Sequence, residues 1–318
     1  MRLANTKKIS EVNETPKPVR RSVSEVGWWE RVVVGALLIT AVVYSRCALS
    51  APAPSSSTKT LQALARIYMS QGQYDKAETL VDSALNAVNN KQDAGVSEEK
   101  SGCLIDLAYI YKNQGRFSRA EEFCRLGLQL QEQLYYKDHP YIAYTLRILG
   151  SIYRAQGKYG QAGNSLVKAE TIIRKCHPPD DPVVASFEVD TARLLAAEGH
   201  FKQAELIYER AFRVISDYYG PEHLYTAGVL SDIARVYYLQ DRLDEAEQMM
   251  SYALEIQSNV YGRGNPQLAA NLLAMARICQ AKGDLPQAEK LLLASSDKNE
   301  TSTRDEIRFA SARLDECI

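Results

Sequence analysis

The sequence predicts an all-α protein: a right-handed superhelical solenoid of about six helix-turn-helix repeats, a C-terminal capping helix and, before the repeats, one transmembrane helix. Three observations predict this fold class. A segment that begins at Leu64 recurs five more times at a nearly constant period, every copy places apolar residues at helical spacing, and one uncharged run precedes the first copy. With 318 residues, of which 46% are hydrophobic, the chain can also bury a substantial core.

The residues before the repeats divide by composition into three segments. Residues 1–26 are polar with little periodicity, which is typical of a disordered tail, and residues 50–58 form a Pro/Ser linker. Between them, residues 27–49 contain the uncharged run Val32–Ser45. A membrane span requires about 20 apolar residues, so this segment spans a bilayer if the arginines at its ends extend toward the headgroups. We therefore predict a single transmembrane anchor.

The charges around this segment predict its orientation. Seven Lys and Arg residues precede the uncharged run, whereas only Arg46 and Lys59 follow it closely. The positive-inside rule then places the repeats on the extracytoplasmic side of the membrane. Two other interpretations stay open: a signal sequence that is cleaved near Ser50, which would release a secreted protein, and a buried core helix.

Residues 59–295 form the predicted repeat domain, in which each repeat contains two helices, A and B. The residue at the turn between them recurs at steps of 42 or 43 residues: Gly72, Gly115, Gly157, Gly199, Asp241 and Gly283. A glycine there can adopt a positive φ and so cap helix A. Helix B has a small residue at one position in every copy, as close helix packing requires: Ala77, Ala120, Ala162, Ala204, Ala246 and Ala288. In residues 296–318, an apolar stripe of Ile307, Ala310 and Leu314 predicts the capping helix.

This pattern resembles the tetratricopeptide repeat (TPR), and its 42-residue period is similar to the kinesin light chain type. The resemblance covers about residues 59–295, and the loop Asp138-His139-Pro140 matches the loop of that family. It implies that the A helices line a concave surface that binds other proteins. Kinesin light chains typically carry paired Asn residues before the repeat Leu, and none of the six copies does so here. The resemblance therefore implies no motor partner.

Mapping the repeat pattern onto each copy gives candidate residues that face the concave surface. The predicted partner-binding residues are Arg66, Tyr109, Lys112, Tyr144, Arg147, Arg154, Arg193, Arg235, Tyr238 and Arg277. Arginine presents a planar set of donors that suits carboxylates. The groove is therefore predicted to bind a segment of a protein or peptide partner, and an acidic segment is favoured.

An alternative is that these arginines only neutralise neighbouring aspartates. Asp190 and Arg193 are three residues apart, as are Asp232 and Arg235, and opposite charges at this helical spacing commonly pair. The arginines without an acidic residue at that place are the stronger ligand candidates: Arg66, Arg147, Arg154 and Arg277.

Composition and motifs argue against catalysis and nucleic-acid binding. The 38 Lys and Arg residues balance 39 Asp and Glu residues, so no overall field attracts nucleic acid. The sequence contains no nucleotide-binding, zinc-protease or nucleophile-elbow motif, and none of the six cysteines forms a C-x-x-C pair. We predict no catalytic residue, no cofactor and no metal site.

These observations favour a non-enzymatic scaffold, tethered to a membrane by its N-terminal segment, that binds a partner in the concave groove. One alternative is a regulatory sensor whose superhelix changes shape when a peptide or small ligand binds. Another is a structural role through self-association of the repeat edges, and the oligomeric state is left open. Repeats of this kind serve many unrelated binding roles, so the fold alone does not name the partner.

Overall fold

The computed structural model describes residues 58–90, 97–262, 265 and 268–296, and in these ranges it contains twelve α-helices and no β-strand. Numbered in chain order, the helices are α1 Thr58–Ser70, α2 Tyr74–Asn89, α3 Glu98–Asn113, α4 Phe117–Leu134, α5 Pro140–Ala155, α6 Tyr159–Cys176, α7 Pro182–Ala197, α8 Phe201–Tyr219, α9 Leu224–Leu239, α10 Leu243–Tyr261, α11 Ala269–Ala281 and α12 Leu285–Ser296. Odd-numbered helices are the A helices and even-numbered helices the B helices. The predicted all-α solenoid of six repeats is confirmed.

The predictions for the two ends of the chain lie outside the described residues. These are the tail 1–26, the anchor 27–49, the linker 50–58 apart from Thr58, and the capping helix 296–318 apart from Ser296. Within the ranges that the structure describes, no helix is both long enough and apolar enough to cross a membrane. The anchor and the cap therefore stay predictions, as does the handedness of the superhelix.

Three of the A helices begin with the same kind of cap. The side chains of His139, Asp181 and His223 each accept a hydrogen bond from the backbone N–H two residues further on, at 3.2, 2.7 and 3.2 Å. Such bonds satisfy a donor that has no partner within the helix. Pro140 and Pro182 occupy the first positions of α5 and α7, where the missing N–H costs little.

The A helices end at the predicted turn residues. All six have positive φ, between 60° and 83°, and Asp241 is the one residue other than glycine with positive φ among those described. In the first turn, Gln73 N donates to Tyr68 O at 2.9 Å, and the equivalent bond closes the other five turns. This six-residue closure requires the left-handed conformation that glycine adopts without strain, so the predicted C-caps are confirmed.

The helices pack as a chain of neighbours. Each A helix packs against the B helix of its own repeat, each B helix packs against the next A helix, and A helices of neighbouring repeats also touch. The predicted alanine of helix B is at most 5% exposed in every repeat, because a larger side chain there would separate the two helices. We call the side formed by the A helices the inner face and the side formed by the B helices the outer face.

Large side chains fill the space between the helices. Leu107, Ile152, Phe187, Tyr208 and Met250 come from five different helices, and each is at most 1% exposed. Full burial of such a side chain contributes about 1.5–3 kcal/mol. Because no repeat can bury its apolar surface alone, these contacts hold neighbouring repeats in a fixed relation and position the inner-face side chains.

Candidate partner-binding groove

All ten predicted partner-binding residues lie on A helices, and none of them is fully buried. They are spread from α1 to α11, so they do not form one compact site. The structure brings together most of those on α3, α5, α7 and α9, whereas Tyr238 of α9 packs against an apolar cluster of the last two repeats. Arg66 on α1 and Arg277 on α11 lie towards the two ends of the inner face.

Arg193 joins two A helices through two carboxylates. Its Nη1 donates to Asp190 on the same helix at 2.7 Å, and its Nη2 and Nε donate to Asp232 on α9 at 2.6 and 2.8 Å. The predicted pair of Asp190 and Arg193 is therefore confirmed. The predicted pair of Asp232 and Arg235 is wrong, because Asp232 is occupied by the arginine of the preceding repeat. Among the described residues, Arg235 makes no ion pair.

Arg66 and Arg147 have no acid at helical spacing, but each pairs with an acid of the following repeat. Arg66 Nη2 lies 3.4 Å from Asp106 Oδ2, and Arg147 donates to Asp190. Both acids lie about forty residues further along the chain, so a search at helical spacing misses them. These two arginines stabilise the stack of repeats.

The pKa values distinguish a strong contact from a weak one. Burial raises the pKa of Asp106, because Arg66 is largely exposed and compensates only in part. For Asp190, burial also favours the neutral acid, but the guanidinium groups of Arg147 and Arg193 hold its pKa below the ordinary value. The contact at Asp190 is therefore the stronger of the two.

Lys112 lies among the same charged groups. Burial lowers the pKa of its ammonium group; Asp190 opposes that change, and the guanidinium groups of Arg193, Arg154 and Arg147 add to it. Lys112 thus lies near three guanidinium groups where α3, α5 and α7 meet, and the carboxylates bonded to these groups are Asp190 and Asp232. This part of the inner face carries excess positive charge.

Aromatic rings position two of the predicted residues. Phe187 of α7 is buried beneath α5, where its ring lies 5.3 Å from the Tyr144 ring and 4.9 Å from the guanidinium carbon of Arg147. Such edge-to-face and cation–π contacts contribute about 0.5–1.5 kcal/mol each. Sequence reasoning missed Phe187, because its apolar character predicts only core packing. On α3, Lys112 Nζ lies 4.9 Å from the Tyr109 ring centroid.

A cavity of about 480 Å³ lies on the inner face between α5, α7 and α9 and includes Arg154, Arg193 and Arg235 in its lining. Asn271 of α11 also lines it and donates to Ser231 Oγ at 2.9 Å and to Gln257 Oε1 at 2.8 Å. The sequence analysis missed Asn271, since no other repeat has an amide at that position. This cavity offers cationic donors to an anionic group and has polar side chains beside them.

Among the described residues, no group of three His, Cys, Asp or Glu residues is placed to hold a metal ion. Cys103 and Cys124 are buried and unpaired, and burial raises the pKa of each thiol to about 12. Neutral buried thiols of this kind are poor nucleophiles.

Comparison with known families agrees with this geometry. The family model described as the MalT-like TPR region matches residues 107–307, and that of the tetratricopeptide repeat matches residues 60–95. This chain belongs to the MalT-like TPR region family. The search of curated proteins found no match.

Several solved structures are similar to this MalT-like TPR region at low sequence identity, and two of them share its fold with TM-scores above 0.5. A Rap protein complexed with competence and sporulation factor has a TM-score of 0.64 at 13% identity, over 82% of this chain and 69% of that one. NprR in complex with its cognate peptide NprX has a TM-score of 0.59 at 14% identity, over 76% and 66%. A putative kinesin light chain TPR-like repeat protein from Podosopora anserina is 22% identical over 66% and 98%, with a TM-score of 0.49.

Proposed function

We propose that this protein is a protein-interaction module that binds an acidic segment of a partner along its inner face. The observation that carries the proposal is the excess of unpaired cations there. Arg66, Arg147 and Arg193 are held by buried aspartates. Within the described ranges, four other inner-face cations make no ion pair: Lys112, Arg154, Arg235 and Arg277.

The repeat pattern explains why Arg235 is available. Arg66 and Arg193 each reach an aspartate at one position of the next A helix, namely Asp106 and Asp232. The equivalent acceptor for Arg235 would stand at residue 274, which is alanine. Arg235 therefore has no carboxylate to bond in the next repeat, and a carboxylate of a partner can take that place.

One solved structure supports a peptide as the class of partner. NprR, which shares the helical repeat fold with this chain, is bound to its cognate peptide NprX; the Rap protein of the same fold is complexed with competence and sporulation factor. The 480 Å³ cavity between α5, α7 and α9 is of the size that takes a few side chains of such a segment. A binding scaffold of this kind performs no chemistry on its partner.

The test is the binding of a glutamate-rich peptide, followed by fluorescence anisotropy. We expect the double variant Arg154→Ala/Arg235→Ala to bind about tenfold or more weakly, because each hydrogen bond between charged groups contributes about 1.5–3 kcal/mol. Lys202→Ala/Arg213→Ala is the matched control, since it removes the same charge from two exposed positions of α8 on the outer face. Equal affinity of the two double variants would refute the proposed groove.

We further propose that residues 27–49 tether the module to a membrane with the repeats on the extracytoplasmic side. The uncharged run and the excess of basic residues before it support this proposal. In sealed vesicles, the repeats of the full-length chain should resist protease added from the cytoplasmic side until detergent is added. Immediate digestion from that side would show that the repeats lie on the cytoplasmic side. Recovery of the chain in the soluble fraction would exclude the tether.

A further inference from the structure

The outer face contains a groove of about 1220 Å³ that the inner-face proposal does not use. It lies between the B helices α4 and α6, above α5. Buried side chains of α5, including Leu146 and Leu149, form its floor. Leu126 and Val167 line its two walls and are 45% and 62% exposed. The groove therefore combines an apolar floor with exposed aliphatic walls.

The equivalent position above α7 is closed by ion pairs. Glu188 of α7 accepts from Arg174 Nη2 at 2.5 Å and from Arg210 Nη1 at 2.8 Å, and these two arginines lie on α6 and α8. The carboxylate thus connects the two B helices that flank α7. A partner helix could not lie there without breaking both contacts.

The equivalent position above α9 is closed by large side chains. Leu230 of α9 is 3% exposed and packs in one apolar cluster with Phe212 and Met249, which come from the flanking helices α8 and α10. These two side chains occupy the space between the B helices. The solenoid therefore has two different ways of closing an outer groove.

Above α5 the sequence provides neither the ion pairs nor the large side chains that close the other two grooves. At the 42-residue period, Leu146 stands where α7 has Glu188, so no carboxylate can connect the walls. Leu128 and Ser165 stand where the closed groove above α9 has Phe212 and Met249. The smaller side chains leave the space empty. The opening thus results from substitutions in two neighbouring repeats and is not a general property of the fold.

The two walls differ in charge. On the α4 wall, Glu122 and Glu132 are exposed and make no ion pair within the described part of the chain; on the α6 wall the same is true of Lys168. Glu132 and Lys168 occupy the positions at which Arg174 and Arg210 meet Glu188 in the next groove. A ligand in this groove therefore meets an acidic wall on one side and a basic wall on the other.

We propose that this groove binds an amphipathic α-helix of a protein partner. The lining runs from Ser118 to Glu132 along α4 and from Asn164 to Lys175 along α6, so at 1.5 Å per residue the bound helix has about 12–15 residues. The apolar stripe of the bound helix packs on α5, in the way that an amphipathic helix places its apolar face in a hydrophobic groove. The flank of the helix that faces α4 carries Lys or Arg, and the flank that faces α6 carries Asp or Glu.

A displayed peptide library tests this inference on the full-length chain. The library holds 15-residue helical peptides with leucines fixed along one stripe and all other positions varied. We expect the selected peptides to place basic residues on one flank and acidic residues on the other. Their affinity should fall about tenfold or more for Leu128→Phe/Ser165→Met, which introduces the residues that close the groove above α9. Circular dichroism checks that this variant keeps its helical content.

A second variant tests the charge assignment without changing the packing. Glu132→Lys/Lys168→Glu exchanges one acidic and one basic side chain between the two walls, so it should weaken binding of the selected peptides and favour peptides whose flanking charges are exchanged at those positions. The inner-face variant Arg154→Ala/Arg235→Ala should bind the selected peptides as the wild type does, which separates this proposal from the proposed function. The inference fails if no selected peptide distinguishes the wild type from Leu128→Phe/Ser165→Met, or if the charge reversal leaves peptide preference unchanged.

Discussion

Replacing Asp190 by asparagine should lower the free energy of unfolding by about 2–4 kcal/mol, because it leaves the cations around it without their shared carboxylate. The Asp190 side chain is 10% exposed and bonds to Arg147 and to Arg193, which also joins α7 to α9. Lys112 lies near the same carboxylate. Asparagine has nearly the same shape, so the loss would come from charge and hydrogen bonding, with little change in packing.

Urea denaturation followed by circular dichroism measures this loss. The control is Asp138→Asn, which removes an acid of the loop before α5 that pairs with Lys175 on α6 but whose side chain is 42% exposed. Such exposed pairs contribute about 0–1 kcal/mol. Similar losses in the two variants would contradict the central role of Asp190.

The same residue predicts a dependence on pH. The native pKa of Asp190 lies below its ordinary value. As the pH falls, the Asp190 carboxylate is therefore protonated in the unfolded chain before it is protonated in the folded protein. The stabilisation is complete above the ordinary aspartate pKa and is lost as the pH falls through the native value. Asp190→Asn should therefore lose less stability than the wild type between neutral pH and about pH 3.

The sequence predicts most of the fold, because the same local structural signals recur in every repeat. A turn residue with positive φ and an alanine at the closest helix approach recur in six copies, and Asp241 shows that the turn survives even without glycine. The ion pairs between repeats could not be predicted in the same way. Arg147 reaches Asp190 only because α5 and α7 lie side by side, and that distance depends on the packing of all the side chains between them.

The outer groove is a second feature that the sequence alone could not predict. Leu128 and Ser165 are unremarkable in the sequence, and each fits the helical pattern of its own repeat. Their effect becomes visible only beside Phe212 and Met249, which fill the equivalent space above α9. A periodic sequence therefore reveals which positions correspond, whereas the structure reveals which of those positions leave space for a partner.

Replacing Phe187 by alanine should cost about 3–5 kcal/mol of folding stability, since a buried aromatic side chain leaves a cavity that its neighbours fill only in part. Phe187 is 1% exposed and lies in the fourth of six repeats. Each repeat contacts mainly its neighbours, so a weakened central repeat should divide the solenoid into two parts that unfold separately. We expect one cooperative transition for the wild type and two for the variant.

Denaturation followed in parallel by circular dichroism and by tyrosine fluorescence distinguishes these cases, because two transitions make the two curves diverge. Tyr136→Ala is the control, since Tyr136 is 66% exposed and its loss should change stability little. Phe187→Ala should also weaken binding of the glutamate-rich peptide, because the ring positions Tyr144, a predicted partner-binding residue of the inner face. A single transition with wild-type stability would show that the fourth repeat does not depend on this ring.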